Sequence, residues 1–198
     1  MLTAIVLAAG ESRRMGTPKI NLPWGETTVL GQVLDTLLEA GLEEIILVTG
    51  AHPVAGLEDF TARGVKPVHN PDYAAGEMLS SFQVGLRAAA PHSQAALLAL
   101  SDQPQMEVSV VRAVVAAYLE RRPLLLIPSY RMRRGHPGVV DRSLWVEILA
   151  MKPPATLRDF LNAHAAEIYY LEVDTETVVQ DLDTPEDYAR YHPAPRSF

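Results

Sequence analysis

Cysteine is missing from this sequence of 198 residues. Its absence excludes disulfides, thiolate zinc sites and cysteine nucleophiles, and it is compatible with a reducing cytoplasm. Positive charge is also short: 17 Lys and Arg stand against 24 Asp and Glu, a formal net charge of -7. No global positive field therefore recruits nucleic acid, and an anionic ligand must be held by local cations, backbone amides or a metal ion. Long apolar runs are missing too. The stretch from Met1 to Gly10 has no basic segment before it and turns polar at Glu11-Ser12-Arg13-Arg14, so no secretion signal is expected. No other run approaches the length of a membrane span. Linkers, internal repeats and low-complexity segments are absent as well. The expectation is one soluble, cytoplasmic domain over residues 1–191, followed by a loose Pro-rich tail over 192–198, with neither membrane nor nucleic acid as partner.

Short aliphatic runs alternate with longer helical patterns. Strands are predicted over Thr3–Leu7, Glu44–Thr49, Lys66–His69, Ala95–Leu100, Leu124–Ile127 and Ile168–Val173. Helices are predicted over Val29–Ala40, Met78–Ala90, Val108–Arg121 and Ser143–Met151. Runs such as Ile45-Ile46-Leu47-Val48 are apolar throughout, as parallel strands buried on both faces require. The fold class is therefore α/β, a single-domain, Rossmann-like three-layer sandwich with a mostly parallel sheet. Ligands in such sheets bind beyond the carboxyl ends of the strands, which directs attention to the loops after Leu7, after Leu100 and after the last strand.

The first of these loops reads Leu7-Ala8-Ala9-Gly10-Glu11-Ser12-Arg13-Arg14-Met15-Gly16-Thr17-Pro18-Lys19. Small residues and glycine let a chain turn tightly and present backbone N–H groups to an anion, and Arg14 and Lys19 add charge. A P-loop needs four residues between its glycines and Lys directly after the second. Here five separate Gly10 from Gly16 and Lys19 follows three later, so that reading fails. The dinucleotide fingerprint fails as well, because Val48-Thr49-Gly50 ends the second strand without an acid.

The loop resembles the signature L-A-[AG]-G-x-S-x-R-M-G-x-x-K of the molybdenum cofactor cytidylyltransferase and molybdopterin-guanine-dinucleotide-synthase-like NTP transferases. Every fixed position is met, and Leu22-Pro23-Trp24-Gly25 continues the likeness. The resemblance implies the nucleotide-diphospho-sugar transferase type of sheet. It also implies a nucleoside triphosphate bound by Leu7, Ala8, Ala9, Gly10, Ser12, Arg14, Gly16 and Lys19. Arg14 and Lys19 would neutralise charge on the α-phosphate and the departing pyrophosphate.

A carboxylate after the buried strand 95–100, Asp102 in Ser101-Asp102-Gln103-Pro104, is well placed for a hard cation. Position alone is equally consistent with a cap on the helix that begins near Glu107. The family's [GS]-D-x-P segment implies the metal role. Further on, Asp181-Leu182-Asp183-Thr184-Pro185-Glu186-Asp187 combines a helix start with two extra acids. Thr184 is an N-cap and Pro185 suits the first helical position, which leaves Asp183 and Asp181 unexplained. Resemblance to D-[IL]-[DN]-T-P-E-D implies that Asp183 is a second ligand for Mg2+, with Asp181 a weaker candidate.

Asn70-Pro71-Asp72-Tyr73-Ala74-Ala75-Gly76 and Ser80-Ser81 resemble the family's N-P-x-[YW]-x-x-G and S-S segments, implying base and ribose contacts from Asn70, Gly76, Ser80 and Ser81. As a free-standing motif the same stretch is a turn followed by a Ser-capped helix. Arg131-Met132-Arg133-Arg134-Gly135-His136-Pro137 is the densest cationic stretch. By itself it reads as a solvated hairpin tip, whereas the family's G-H-P segment flanks the acceptor. An arginine there, Arg134, would clamp an acceptor phosphate, and His136 would either touch substrate or order the loop. The family's usual G-D-x-G-x-R is replaced by Lys152-Pro153-Pro154-Ala155-Thr156-Leu157-Arg158, from which only Arg158 survives as an acceptor contact.

Ala8-Ala9 before Gly10 resembles the cytidylyl branch, so the resemblance implies CTP, a molybdopterin-type acceptor and delivery to a molybdoenzyme or its chaperone. The alternatives are guanylyl or other nucleotidyl transfer, sugar-phosphate nucleotidyl transfer, and a non-catalytic relative that binds and delivers a cofactor.

Overall fold

Seven consecutive buried residues, Leu2–Ala8, make strand β1, and the rest of the sheet is laid out around it. The computed structural model describes residues 1–74 and 77–193. After β1 come the small hairpin of β2 (Pro23–Trp24) and β3 (Thr27–Thr28), helix α1 (Val29–Glu39), β4 (Glu44–Thr49), α2 (Leu57–Ala62) and β5 (Val65–His69). Helix α3 (Glu77–Ala88), β6 (Ala95–Leu100) and α4 (Val108–Arg121) follow, then β7 (Leu125–Tyr130), β8 (Arg133–Arg134) and β9 (Gly138–Asp141). Helices α5 (Trp145–Ala150) and α6 (Leu157–Ala163), strand β10 (Ile168–Glu172) and α7 (Pro185–Tyr191) complete the order.

Among the described residues the main sheet runs β10-β7-β9-β6-β1-β4-β5, with β8 paired to β7. Strands β1, β4, β5 and β6 are mutually parallel, and the register sets Ile5 beside Ile46 on one side and Leu98 on the other. Residues buried on both faces need helices on both faces. One face receives Leu30, Val33, Leu34 and Leu37 of α1 and Val111, Val114 and Tyr118 of α4. The other receives Phe82 and Leu86 of α3, Trp145 and Ile148 of α5, and Phe160 of α6. The three-layer α/β expectation is met.

Besides the short strands β2, β3 and β8, two departures from the strand-by-strand expectation shape the site. Strand β9 enters the sheet antiparallel between β6 and β7, where no strand was predicted. Because it runs against β6, its leading residues Gly135-His136-Pro137 arrive at the carboxyl end of β6, beside Asp102. Strand β10 lies at the sheet's edge, so the carboxylates that follow it do not start near the centre. They reach it along a return segment: His136 N donates to Val178 O (2.8 Å) and Leu182 N donates to Asp102 O (2.9 Å). Helix α7 then docks on the β2–β3 hairpin. Leu182 is buried with Trp24 and Val29, and Tyr188 OH donates to Pro23 O at 2.6 Å. His192, expected to open the loose tail, packs against Trp24 with ring centroids 5.6 Å apart; residues 194–198 lie outside the described residues. No helix among the described residues is long and apolar enough to cross a membrane.

Candidate active site

The chain leaves β1 through a turn that its own residues hold open. Ala9 O accepts from Ala51 N at 3.3 Å, and a β-carbon on Gly50 would stand 2.7 Å from Ala9, so only glycine permits this approach. Met15 N donates to Ser12 O (3.0 Å), and Lys19 N donates to the Ser12 hydroxyl (3.2 Å). Gly16, at φ 66°, takes the left-handed conformation that costs glycine least. The result is a cleft of about 380 Å³ lined by Gly10, Ser12, Arg14 and Lys19 of the loop together with Tyr73, Ala74 and Asp183. Leu7, Ala8 and Ala9 are buried and do not line it; Leu7 O is taken by Ser101 N at 3.3 Å.

At one end of the cleft three residues meet that lie far apart in sequence. Lys19 Nζ donates to Asp102 Oδ2 (2.5 Å), to Leu182 O (3.1 Å) and to Asp183 Oδ1 (3.4 Å). Arg14 pairs with Asp183 Oδ2 at 3.0 Å. Asp102 does not cap α4: the N-cap is Glu107, without a side-chain hydrogen bond. That removes the structural alternative left open by its position. Asp183 is set by the next turn, where Thr184 and Asp187 form a capping box at the start of α7 and Asp183 N donates to Asp187 Oδ2 (3.2 Å).

Behind this cluster lies a polar layer that the sequence did not reveal. Gln103 Nε2 donates to Asp181 Oδ1 at 2.7 Å, and Asp102 Oδ1, Gln103 Oε1 and His136 Nδ1 are buried without hydrogen-bond partners. Partial burial, reinforced by the Asp102 carboxylate, raises the Asp181 pKa above its ordinary value. Burial lowers that of His136, against the pull of Asp181 and Asp102, so His136 is neutral at pH 7. Gln103 was legible only as the neighbour of Asp102.

The remaining expected residues separate into groups. Asn70 is buried, and its amide donates to both Ser80 Oγ and Ser81 Oγ at 3.0 Å while its Oδ1 accepts from Asp72 N. These three residues tie β5 to α3 and so hold the Tyr73–Ala74 wall of the cleft. Gly76 lies outside the described residues. The hairpin tip at Arg131 and Met132 is solvent-exposed, but His136 is not part of it. Arg134 donates to Tyr170 OH (2.9 Å) and Asn162 Oδ1 (3.3 Å). Arg158 stands exposed four residues before Asn162, the spacing that shares a helix face. Arg134 and Arg158 are thus brought toward one surface of α6, whereas His136 is turned inward.

The donor set suits a divalent cation. Asp102 and Asp183 supply hard carboxylate oxygens, one of them buried without a partner, around a point that already holds a positive charge. Among the described residues no group of three or more His, Asp or Glu gathers to hold a metal by itself, so an ion here would depend on two carboxylates. Two carboxylates with the balance from water and phosphate is the demand of a magnesium-sized ion.

The chain is 31% identical to the nicotine blue oxidoreductase of Paenarthrobacter nicotinovorans, over 96% of this chain and 95% of that protein. It is 28% identical to the molybdenum cofactor cytidylyltransferase of Escherichia coli, over 94% and 93%. The manganese complex of Rv0371C from Mycobacterium tuberculosis superposes with a TM-score of 0.77 at 29% identity, covering 96% of this chain and 97% of that one. Residues 4–168, which contain the Gly10 loop, Asp102 and the Gly135–Pro137 segment, match the description MobA-like NTP transferase domain, and the chain belongs to that family.

Proposed function

We propose that this protein transfers a nucleoside monophosphate, CMP foremost, from its triphosphate to the phosphate of a molybdopterin-type acceptor and releases pyrophosphate. The observation that carries this reading is the convergence of Lys19, Arg14, Asp102 and Asp183 at the end of the Gly10 cleft. A divalent ion held by Asp102 and Asp183, magnesium in this reading, would neutralise and orient the phosphate oxygens. Backbone amides after Ala9 and the side chains of Arg14 and Lys19 face the triphosphate and stabilise charge on the leaving pyrophosphate. An acceptor phosphate oxygen attacks the α-phosphorus in line; the new P–O bond forms as the α–β bridge breaks. That oxygen is already anionic, so no side chain has to remove a proton. In this reading Arg134 and Arg158 steer the acceptor's phosphate, and His136 supports Asp102 from behind. CTP is favoured by Ala8-Ala9 and by the relative named a cytidylyltransferase.

The test is a thermal-shift panel of CTP, GTP, ATP and UTP with Mg2+, followed by pyrophosphate release with molybdopterin. CTP-selective stabilisation and turnover, with kcat lowered at least about a hundredfold in Asp102→Ala, is the expected result. A relative named an oxidoreductase calls for a second arm. Oxidation of NADH or NADPH with no pyrophosphate release from any triphosphate would replace this reading with hydride transfer.

A further inference from the structure

Lys19 is not poised in the cleft as a free cation. Its ammonium has three donors and meets three acceptors: Asp102 Oδ2, Asp183 Oδ1 and the Leu182 carbonyl. Its side chain is 16% exposed, against 70% for Arg14. Arg14 takes the other Asp183 oxygen, and the second Asp102 oxygen is buried. On Asp102 and Asp183, every carboxylate oxygen that is not buried is therefore already held by a side-chain cation.

We infer that Lys19 is a resident counter-cation, which a divalent ion must displace from Asp102 and Asp183 and which the triphosphate then receives. This rests on reading those two aspartates as the metal-holding pair. The charges explain why the exchange is concerted. Lys19 and Arg14 balance Asp102 and Asp183. A divalent ion alone would add two positive charges within reach of an ammonium that has lost its partners. A triphosphate alone would bring its anionic oxygens against the carboxylates. Entering together, the ion takes the carboxylates and the ammonium takes a phosphate, so neither the ammonium nor the two carboxylates lose a counter-charge in a half-buried site. Metal and triphosphate therefore raise each other's affinity, reciprocally, and Lys19 sets the size of the effect.

The probe is Mn2+, its free fraction read by electron paramagnetic resonance, with inorganic tripolyphosphate in place of a nucleotide. Lys19→Met and Lys19→Gln are expected to bind Mn2+ alone at least about tenfold more tightly than the unaltered protein. Asp102→Asn added to Lys19→Met removes that gain. Tripolyphosphate raises Mn2+ affinity in the unaltered protein by a similar factor and much less in the variants. Equal Mn2+ affinity with and without Lys19 overturns the inference while leaving the metal reading intact, provided that Mn2+ still binds at Asp102 with tripolyphosphate. No Mn2+ at Asp102 under any condition overturns both. Unpaired carboxylates can unfold the variants, so a second measurement uses the unaltered protein. Lys19, Lys66 and Lys152 are its three lysines, and their ammonium groups are resolvable by nitrogen NMR. The Lys19 signal is expected to move with Mg2+ and tripolyphosphate together and not with either alone; a signal unmoved by the pair counts against displacement.

Discussion

Single residues in this protein are constrained by distances that composition does not show. Gly50 reads as the unremarkable end of a strand, yet a methyl group there would press on Ala9 at 2.7 Å and tilt the loop that carries Gly10. Gly50→Ala is expected to cost about 1–3 kcal/mol of stability and to raise the KM for nucleotide, measured by chemical denaturation and initial rates. Arg14→Ala is the opposite case. Its ion pair with Asp183 is mostly exposed and worth at most about 1 kcal/mol, so melting is expected to stay near that of the unaltered protein while nucleotide binding weakens. His136 is held neutral by burial, and its folded pKa lies below the ordinary 6.5. Its contribution to stability is therefore complete above that value and is lost as pH falls toward the folded pKa. The expected NMR result is an imidazole that remains neutral below pH 6.5, where exposed histidines have begun to take up protons; a ring that titrates with them contradicts the buried placement.

At the scale of elements, the predicted strands 44–49 and 95–100 matched to the residue, and 3–7, 66–69 and 168–173 matched within one residue at each end, the exact matches being among the runs buried on both faces. Strand β9 was missed because two valines after Gly138 form no periodic signal, and its place between β6 and β7 depends on partners remote in sequence. Helix α6 carried a readable sign, the capping box from Thr156 to Asp159, that went unused. The Gly10 loop, Asp102 and Asp183 were legible through their resemblance to a family pattern. Their meeting at Lys19, the support from Gln103 and the Tyr73 wall were not, because each is a tertiary contact. The docking of α7 is another such contact and can be tested. Trp24, 6% exposed, holds that helix through Leu182 and Tyr188, and Trp24→Ala is expected to cost about 3–5 kcal/mol. Hydrogen exchange should rise first in α7. Helices α5 and α6 meet at His164, whose ring contacts Glu147 and Glu167, and these carboxylates, Glu167 first, raise its pKa above 6.5. Stability from this contact is complete below pH 6.5 and lost as pH rises through the raised value. The melting-temperature difference between the unaltered protein and His164→Gln is therefore expected to shrink from about pH 6 to pH 8; a difference that grows with pH contradicts the assignment.

Across the whole molecule, a net charge of -7 is offset locally where Arg14 and Lys19 balance two carboxylates. Duplex DNA is accordingly expected not to bind even at low ionic strength, measured by fluorescence anisotropy. The parallel strands β1, β4, β5 and β6, by contrast, all precede the last helix by a long stretch of chain. Asp183 comes 81 positions after Asp102 and 164 after Lys19. The sheet strands are therefore all made before the last of the residues that meet at Lys19. Ending synthesis after Val179 would yield a protein that keeps its sheet signature in circular dichroism but melts earlier and ignores nucleotide. For this chain, the sheet and the cleft corner are separable parts, the second completed by the segment that ties Leu182 and Asp183 back to Asp102 and Lys19.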